Sequence, residues 1–226
     1  MSEEVWYETR LYFDPEQQGE DLGYLHPDDL YQQHQWVWRC FEQSDLTQAD
    51  FMFRVDMTLP VPTVFVRSKR QLKAAIQGWK AVFSKGIEQQ IGQGLVQFSL
   101  RANPTVDITL KGDKTRRHDV LMHAKKQAQK SNVDVSEAVD TAAKAWLEKK
   151  LKQGGLELLS QCIEFSNYKQ HKIVKNNNPK AIHLSTLDYF GVAKVTDAQK
   201  LEQALLSGVG RSKAFGCGLL LIKPLS

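Results

Sequence analysis

The fold this sequence predicts is α+β: two tandem ferredoxin-like (βαββαβ, RRM-like) domains with a cleft between antiparallel sheets. Three observations predict it. The C-terminal half reads strand, helix, strand, strand, helix, strand, which is the order of that fold. The N-terminal half reads as a degraded copy of the same order. A glycine-rich turn near the end of the chain stands where the second domain's last helix must turn into its last strand. The expected domains are residues 1–93 and 94–226 of a 226-residue chain.

In the first half, V-W-Y-E-T-R-L-Y-F (residues 5–13) is rich in aromatic and β-branched residues and reads as a strand. Residues 14–23 are polar and read as a loop. In H-P-D-D-L-Y-Q-Q-H-Q-W-V-W-R-C-F, Pro27 suits a first helical turn, and Asp28 and Asp29 favour the positive end of the helix. F-M-F-R-V-D-M and T-V-F-V-R read as strands joined around Pro60 and Pro62. Residues 71–83 are ambiguous, with a helix packed on those strands as one reading. In the second half, residues 95–111 form an alternating strand interrupted at Pro104, and residues 135–153 an amphipathic helix stopped by Gly154 and Gly155. Residues 156–166 and 182–196 read as strands joined by a basic loop, Y-K-Q-H-K-I-V-K-N-N-N-P-K. A helix from Ala198 and a short terminal strand complete the chain.

Charge narrows the field of partners through its distribution. Residues 1–50 hold twelve acids and two bases, a net of −10, so residues 51–226 carry +14 of the overall +4. Residues 111–130 contain seven bases (Lys111, Lys114, Arg116, Arg117, Lys125, Lys126, Lys130) against two acids, and residues 169–180 contain four bases and none. Such clusters are the electrostatic footprint of a nucleic acid or another anionic surface. Solvated helix and hairpin faces account for either cluster alone, but less well for both together with a basic glycine loop. Cys40, Cys162 and Cys217 are far apart, so neither a disulfide framework nor a zinc knuckle is indicated. With an acidic N-terminus and no apolar run near 18 residues, no signal or membrane span is visible, and a cytoplasmic location is expected.

The stretch G-V-G-R-S-K-A-F-G-C-G-L-L-L (residues 208–221) follows a helical segment in which Leu201, Ala204 and Leu205 share a face. A dinucleotide-binding loop would stand between a strand and a helix, and here the order is reversed. A helix C-cap and a tight turn account for Gly208 and Gly210. They leave Arg211, Lys213 and the second glycine pair unexplained, and those suit a basic loop lying along a phosphodiester backbone.

The candidate for chemistry is His34, in L-Y-Q-Q-H-Q-W-V-W. At 100° per residue Leu30, Val37 and Phe41 form an apolar stripe, with His34 on its border and Tyr31 one turn away. A structural histidine fits that border. An imidazole that titrates near neutrality can also move protons, and a neighbouring phenol can donate to a phosphate oxygen or orient a sugar hydroxyl. His26, His118, His123, His171 and His183 read as phosphate contacts or as neutral. The sequence shows no Asp, Glu and His cluster with metal-ligand spacing, so no metal or cofactor is expected.

Three stretches, L-Y-Q-Q-H-Q-W-V-W, F-S-L-R-A-N-P-T (residues 98–105) and the terminal glycine stretch, occur in an order that resembles the CasE family, the CRISPR-RNA-processing endoribonucleases of type I-E systems. They span nearly the whole chain. Residues 14–23 and 128–139 look longer than is usual for that family, which bears on substrate details. The resemblance implies a metal-independent endoribonuclease that cuts a CRISPR repeat transcript at the base of its stem-loop. The RNA's own 2′-hydroxyl attacks, leaving a 2′,3′-cyclic phosphate. By position His34 matches the catalytic histidine and Tyr31 its neighbouring tyrosine. Lys111, Lys114, Arg116, Arg117, Lys169, Lys172, Lys175, Gly210, Arg211 and Lys213 are the expected RNA contacts, since A-form stems are read mostly through backbone and shape. The resemblance also implies retention of the product and assembly with the other Cascade subunits. Two other readings stay open: an RNA-binding subunit without catalysis, and a structural subunit docking through the acidic first 50 residues.

Overall fold

The structure is a computed structural model; it describes residues 6–14, 16, 25–42, 49–73, 76–85, 93–109, 115–175 and 178–225. Residues 6–85 build one four-stranded sheet. It contains β1 (Tyr7–Phe13), β2 (Phe51–Asp56), β3 (Thr63–Ser68) and β4 (Trp79–Lys85), with α1 (Leu30–Arg39) between β1 and β2. Its spatial order is β2-β3-β1-β4, antiparallel throughout. That is the ferredoxin-like order, because β1 and β2 leave a gap that β3 fills. The ambiguous stretch 71–83 thus ends in a strand rather than a helix. W-K-A-V-F is aromatic and β-branched at its centre, and it pairs along the free edge of β1.

The second sheet contains β5 (Leu95–Ala102), β8 (Leu156–Lys175), β9 (Asn178–Val195) and β10 (Leu220–Pro224), in the order β10-β5-β9-β8. Between β5 and β8 come the hairpin β6 (Thr105–Thr109) and β7 (Thr115–Asp119), then α2 (Val120–Ser131) and α3 (Val135–Gln153). The strand expected over residues 95–111 is therefore two strands, parted at Pro104. Helix α2 occupies the end of the basic run. Asn132 ends it in a left-handed conformation, and residues 128–139 are the end of α2, a three-residue bend and the first turn of α3. Helix α4 (Ala198–Ser207) precedes the glycine stretch, whose only helical piece is a 3-10 turn, Lys213–Phe215.

The basic stretch 168–180 is not a loop. The strands β8 and β9 continue through it, staying in register from Lys169 opposite Thr186 to Ile173 opposite Ile182, and reach beyond the sheet as an arm.

Each sheet buries one face under its own helices. Phe53, Val64, Val66 and Leu11 meet Val37 and Trp36 of α1, and Phe98, Leu100 and Tyr189 meet Leu147, Leu151, Leu201 and Leu205 of α3 and α4. The opposite faces turn toward each other, and polar side chains fill the space. Arg54 pairs with Asp56 at 2.7 Å and donates to Ser99 Oγ. Arg101 forms a bidentate pair with Asp188 and donates to the Val55 carbonyl at 2.7 Å. Arg67, fully buried, joins Glu8 to the carbonyls of Leu205 and Leu220. Buried guanidiniums are tolerated where carboxylates and carbonyls take their donors, and these three link the sheets through such bonds, with Arg54 Nε left without a hydrogen-bond partner. No helix among the described residues is long and apolar enough to cross a membrane.

Candidate functional site

The site is built around α1. Asp29, rather than Pro27, starts it: its carboxylate accepts from the amides of Tyr31 and Gln32 at 3.0 and 2.9 Å, satisfying two of the amides a helix start leaves open. Pro27 stands two residues earlier, in a turn. There Gln33 Nε2 donates to the carbonyls of His26 and Pro27, both at 2.9 Å. Gln33 is buried and fixes the turn against the helix. Nothing in its residue type distinguishes it in the sequence.

This start aims two faces of α1 differently. Leu30 and Tyr31 pack with Ile173 and Leu184 of the arm and with Phe215 of the 3-10 turn. His34, half-buried, lies over Phe51 with ring centroids 5.6 Å apart, beside Phe53 and Trp38. Phe53 is also the ring on which Gly216 rests: at φ +75°, a Cβ there would stand 3.6 Å from Phe53 Cε2. The glycine stretch therefore lies close to both candidate residues: Phe215 joins Tyr31 at the cluster around Leu30, and Gly216 rests on Phe53, whose ring lies beside His34.

The motif F-S-L-R-A-N-P-T explains how that stretch is held. Phe98 and Leu100 enter the core, and Ser99 and Arg101 enter the polar interface. The Arg101 carbonyl accepts from the Gly218 amide at 2.7 Å, and Asn103 Nδ2 donates to Ser212 Oγ at 2.7 Å. Ser212 sits in left-handed backbone at φ 61°. Gly208, at φ +74°, has no room for a side chain: a Cβ would collide with the sulfur of Met52. Burial disfavours the charge on Arg101, but the Asp188 carboxylate outweighs it and raises the Arg101 pKa.

Two grooves flank α1 and the arm. The first is lined by Tyr31, Asp28, Lys169, His171 and Lys172. Lys169 Nζ lies 2.9 Å from Asp28 Oδ1, and this hydrogen bond holds the Asp28 carboxyl below the usual carboxylate range. The second is lined by Arg117, His118, His183 and Arg211, with Asn103 and Ser212 at its floor. Asp107 stands between its two arginines, 2.9 Å from Arg117 and 3.9 Å from Arg211. Gln170 and His171 belong to both grooves.

The expected contacts therefore fall into groups. Tyr31, Lys169 and Lys172 share one groove, and Arg117 and Arg211 the other. Arg116 is exposed on the opposite face of β7 from Arg117, as strand alternation requires. Lys175 is placed at the tip of the arm, paired with Asn178. Gly210 rests on the Trp146 ring, and the stem of Lys213 lies against Gly208 and Gly218. Lys111 and Lys114 lie outside the described residues. Among the described residues, no three His, Cys, Asp or Glu side chains converge as a metal-binding group.

The sequence pattern of a family described as "CRISPR associated protein" matches residues 6–224. The chain belongs to the CasE family of CRISPR-associated proteins. It is 28% identical over 199 residues to the CRISPR system Cascade subunit CasE of Escherichia coli K12, covering 87% of this chain and 93% of that one. The structure resembles Thermus thermophilus Cse3 bound to an RNA representing a pre-cleavage complex, with a TM-score of 0.66 and 19% identity, over 97% of this chain and 99% of that one. It also resembles the CRISPR-associated protein Cas6e of E. coli K-12, with a TM-score of 0.58 and 22% identity, over 97% of this chain and all of that one. At such identities the structural likeness establishes the fold, and it agrees with the two sheets described above. In this CasE-family chain the three sequence stretches that carry the resemblance meet in space: Phe215 and Tyr31 pack against one cluster around Leu30, and Asn103 holds Ser212.

Proposed function

We propose that the chain is a CRISPR-RNA-processing endoribonuclease that cuts the repeat transcript at the base of its stem-loop. It keeps the product and joins the other subunits of a Cascade complex. The family membership, the 28% identity to a Cascade subunit and the likeness to an RNA-bound Cse3 support this reading. The observation that carries it is local: α1 presents Tyr31 in a groove with Lys169 and Lys172, and His34 one turn further on. Residues 1–93 and 94–226 act as the two domains, the first carrying α1 and the second the basic arm and glycine stretch.

In this mechanism the RNA supplies the nucleophile. Its 2′-hydroxyl attacks the adjacent phosphorus, the bond to the 5′-oxygen breaks, and a 2′,3′-cyclic phosphate and a 5′-hydroxyl result. His34 exchanges a proton with the reacting oxygens. Tyr31 donates to a phosphate oxygen. The lysines and arginines of the two grooves hold the backbone, and Arg116, Lys175 and the 111–114 segment extend that contact.

Incubation of a repeat hairpin with the protein in EDTA tests the reading. Cleavage at the stem base with a cyclic phosphate on the upstream product is expected. His34→Ala should slow it by ~10²–10⁴, the usual contribution of a general acid or base, while hairpin affinity stays within a few-fold. Tight binding without cleavage would instead support a non-catalytic RNA-binding subunit. A strict need for Mg²⁺ would exclude this chemistry.

A further inference from the structure

The reaction just described moves two protons, one off the 2′-hydroxyl and one onto the 5′-oxygen. One imidazole can serve only one of these transfers in a single step. We propose, resting on that reading, that His171 is the second proton-transfer residue: it accepts the proton of the attacking 2′-hydroxyl, and His34 delivers one to the departing 5′-oxygen.

Placement singles His171 out. On β8, Lys169, His171 and Ile173 alternate onto one face, and that face is the one that receives α1, since Leu30 and Tyr31 settle on Ile173 and Leu184. His171 shares the first groove with Tyr31 and the second with Arg117 and Arg211. A ribose-phosphate chain running from the arginine-lined groove toward Tyr31 passes it. His171 alone among the described histidines lines both grooves: His26 lines only the first, and His118 and His183 only the second. His118 and His123 face each other at 5.6 Å, His183 is exposed on β9, and His26 is exposed before α1.

The ring is also oriented. His171 Nε2 lies 2.9 Å from Oγ1 of Thr186, a buried residue of β9, which leaves Nδ1 as the nitrogen for a substrate. The Thr186 hydroxyl can donate or accept, so the assignment calls for the tautomer in which Nε2–H donates to it and Nδ1 is the acceptor. Burial lowers the pKa of His171, and Lys169 and Arg101 push in the same direction, against the Asp28 carboxylate. His26, Asp29, Tyr31 and Lys172 are the other titratable groups around the first groove, and Arg117, His118, Asp119, His183 and Arg211 line the second. The ring is therefore neutral at neutral pH, as a base must be.

The step balances without a further reactant. The O2′–P bond forms as the P–O5′ bond breaks. His171 gains the 2′ proton, His34 gives its proton to O5′, and exchange with water restores both rings.

Single-turnover cleavage by His171→Ala and His171→Gln, each checked for fold and hairpin affinity, tests the assignment. Both variants should lose ~10²–10⁴ in rate, with affinity within a few-fold. Both should also lose the limb of the pH–rate profile that rises with pH. A substrate with sulfur in place of the scissile 5′-oxygen needs no proton on its leaving group, so it should rescue His34→Ala and leave His171→Ala slow. Glutamine can bond Thr186 but cannot act as a base, so full activity of His171→Gln would make the residue structural and overturn the proposal. So would a normal rate in His171→Ala, or rescue of that variant by the sulfur substrate. If the wild-type protein does not cut the hairpin, the proposed function itself fails and this assignment falls with it. If the wild type cuts and both His171 variants match it, only this assignment falls.

Discussion

The imidazole of His34 lies on the ring of Phe51, with centroids 5.6 Å apart and planes 26° apart. Phe51 is buried and stacks in turn on Phe41 at 5.1 Å, so the histidine rests on a column rooted in the core. An imidazole stacked in this way resists the rotation about Cβ–Cγ that would tip it off the Phe51 ring, which fixes where its nitrogens point. Phe51→Leu keeps an apolar side chain of similar volume but removes the flat support. Cleavage at saturating protein should fall by up to ~10², the cost of a misplaced catalytic group, with hairpin affinity within a few-fold. A normal rate in a folded variant would reduce Phe51 to packing alone.

The nucleophile in the proposed reaction belongs to the RNA. A hairpin with a single 2′-deoxy sugar upstream of the scissile phosphate should bind as the all-ribose hairpin does and stay uncut. The two can be compared by equilibrium binding and gel-resolved cleavage on the same preparation. Cleavage of the deoxy hairpin would mean that water attacks instead.

Arg67 ties the two sheets together. Its Nε and Nη2 reach Glu8 at 3.2 and 2.5 Å, and its Nη1 reaches the Leu205 and Leu220 carbonyls at 2.9 and 3.1 Å. Removing one partner of a buried ion pair leaves the other desolvated. Arg67→Met should therefore destabilise the protein by ~3–5 kcal/mol in chemical denaturation. Glu8→Gln in the Arg67→Met background should recover part of that loss, because it discharges the stranded carboxylate. An unchanged denaturation midpoint in the single variant would show that the sheets are held by apolar contacts instead.

The strand-helix order was legible wherever periodicity was clean. Leu201 and Leu205 on α4, the alternation of β5, and Gly154 after α3 all stand where spacing puts them. The misreadings have physical causes. In residues 71–83 the decisive fact is pairing with β1 far earlier in the chain, and the short run W-K-A-V-F is its one local trace. Residues 168–180 are mostly polar because the arm runs beyond the sheet and only Ile173 on this strand is buried against α1, and polarity reads as loop. The border position of His34 was legible from helical spacing. His171 was not singled out, since its meaning depends on Leu184 and Thr186 across the hairpin. The role of F-S-L-R-A-N-P-T was equally hidden, because Asn103 acts on Ser212, 109 residues later.

The glycine stretch serves two purposes that substitution can separate. Gly208 and Gly216 are glycines for reasons internal to the protein: both have positive φ, and at the first a Cβ would also collide with Met52, while Phe53 lies against the second at ordinary contact distance. Those contacts say nothing about RNA. Arg211 is different. Its side chain is 54% exposed at the rim of the second groove, 3.9 Å from Asp107, in an exposed pairing that contributes little to stability. Lys213 is intermediate, with its stem against Gly208 and Gly218. Replacing both by alanine should weaken hairpin binding and make log K less steep in log salt by about one to two units, since each neutralised phosphate contributes roughly 0.7–0.9 to that slope. Arg211→Ala alone should give about half of the change in slope with no loss of stability, whereas Lys213→Ala should also lower stability by removing its packed stem. The rate at saturating protein should fall much less than the affinity in the Arg211 variant, because Tyr31 and His34 keep their supports in Phe215 and Phe53. If binding and its salt slope are unchanged in the double variant, the stretch is a turn into β10 that braces α1, and Arg117 with the lysines of the arm carries the phosphate contacts.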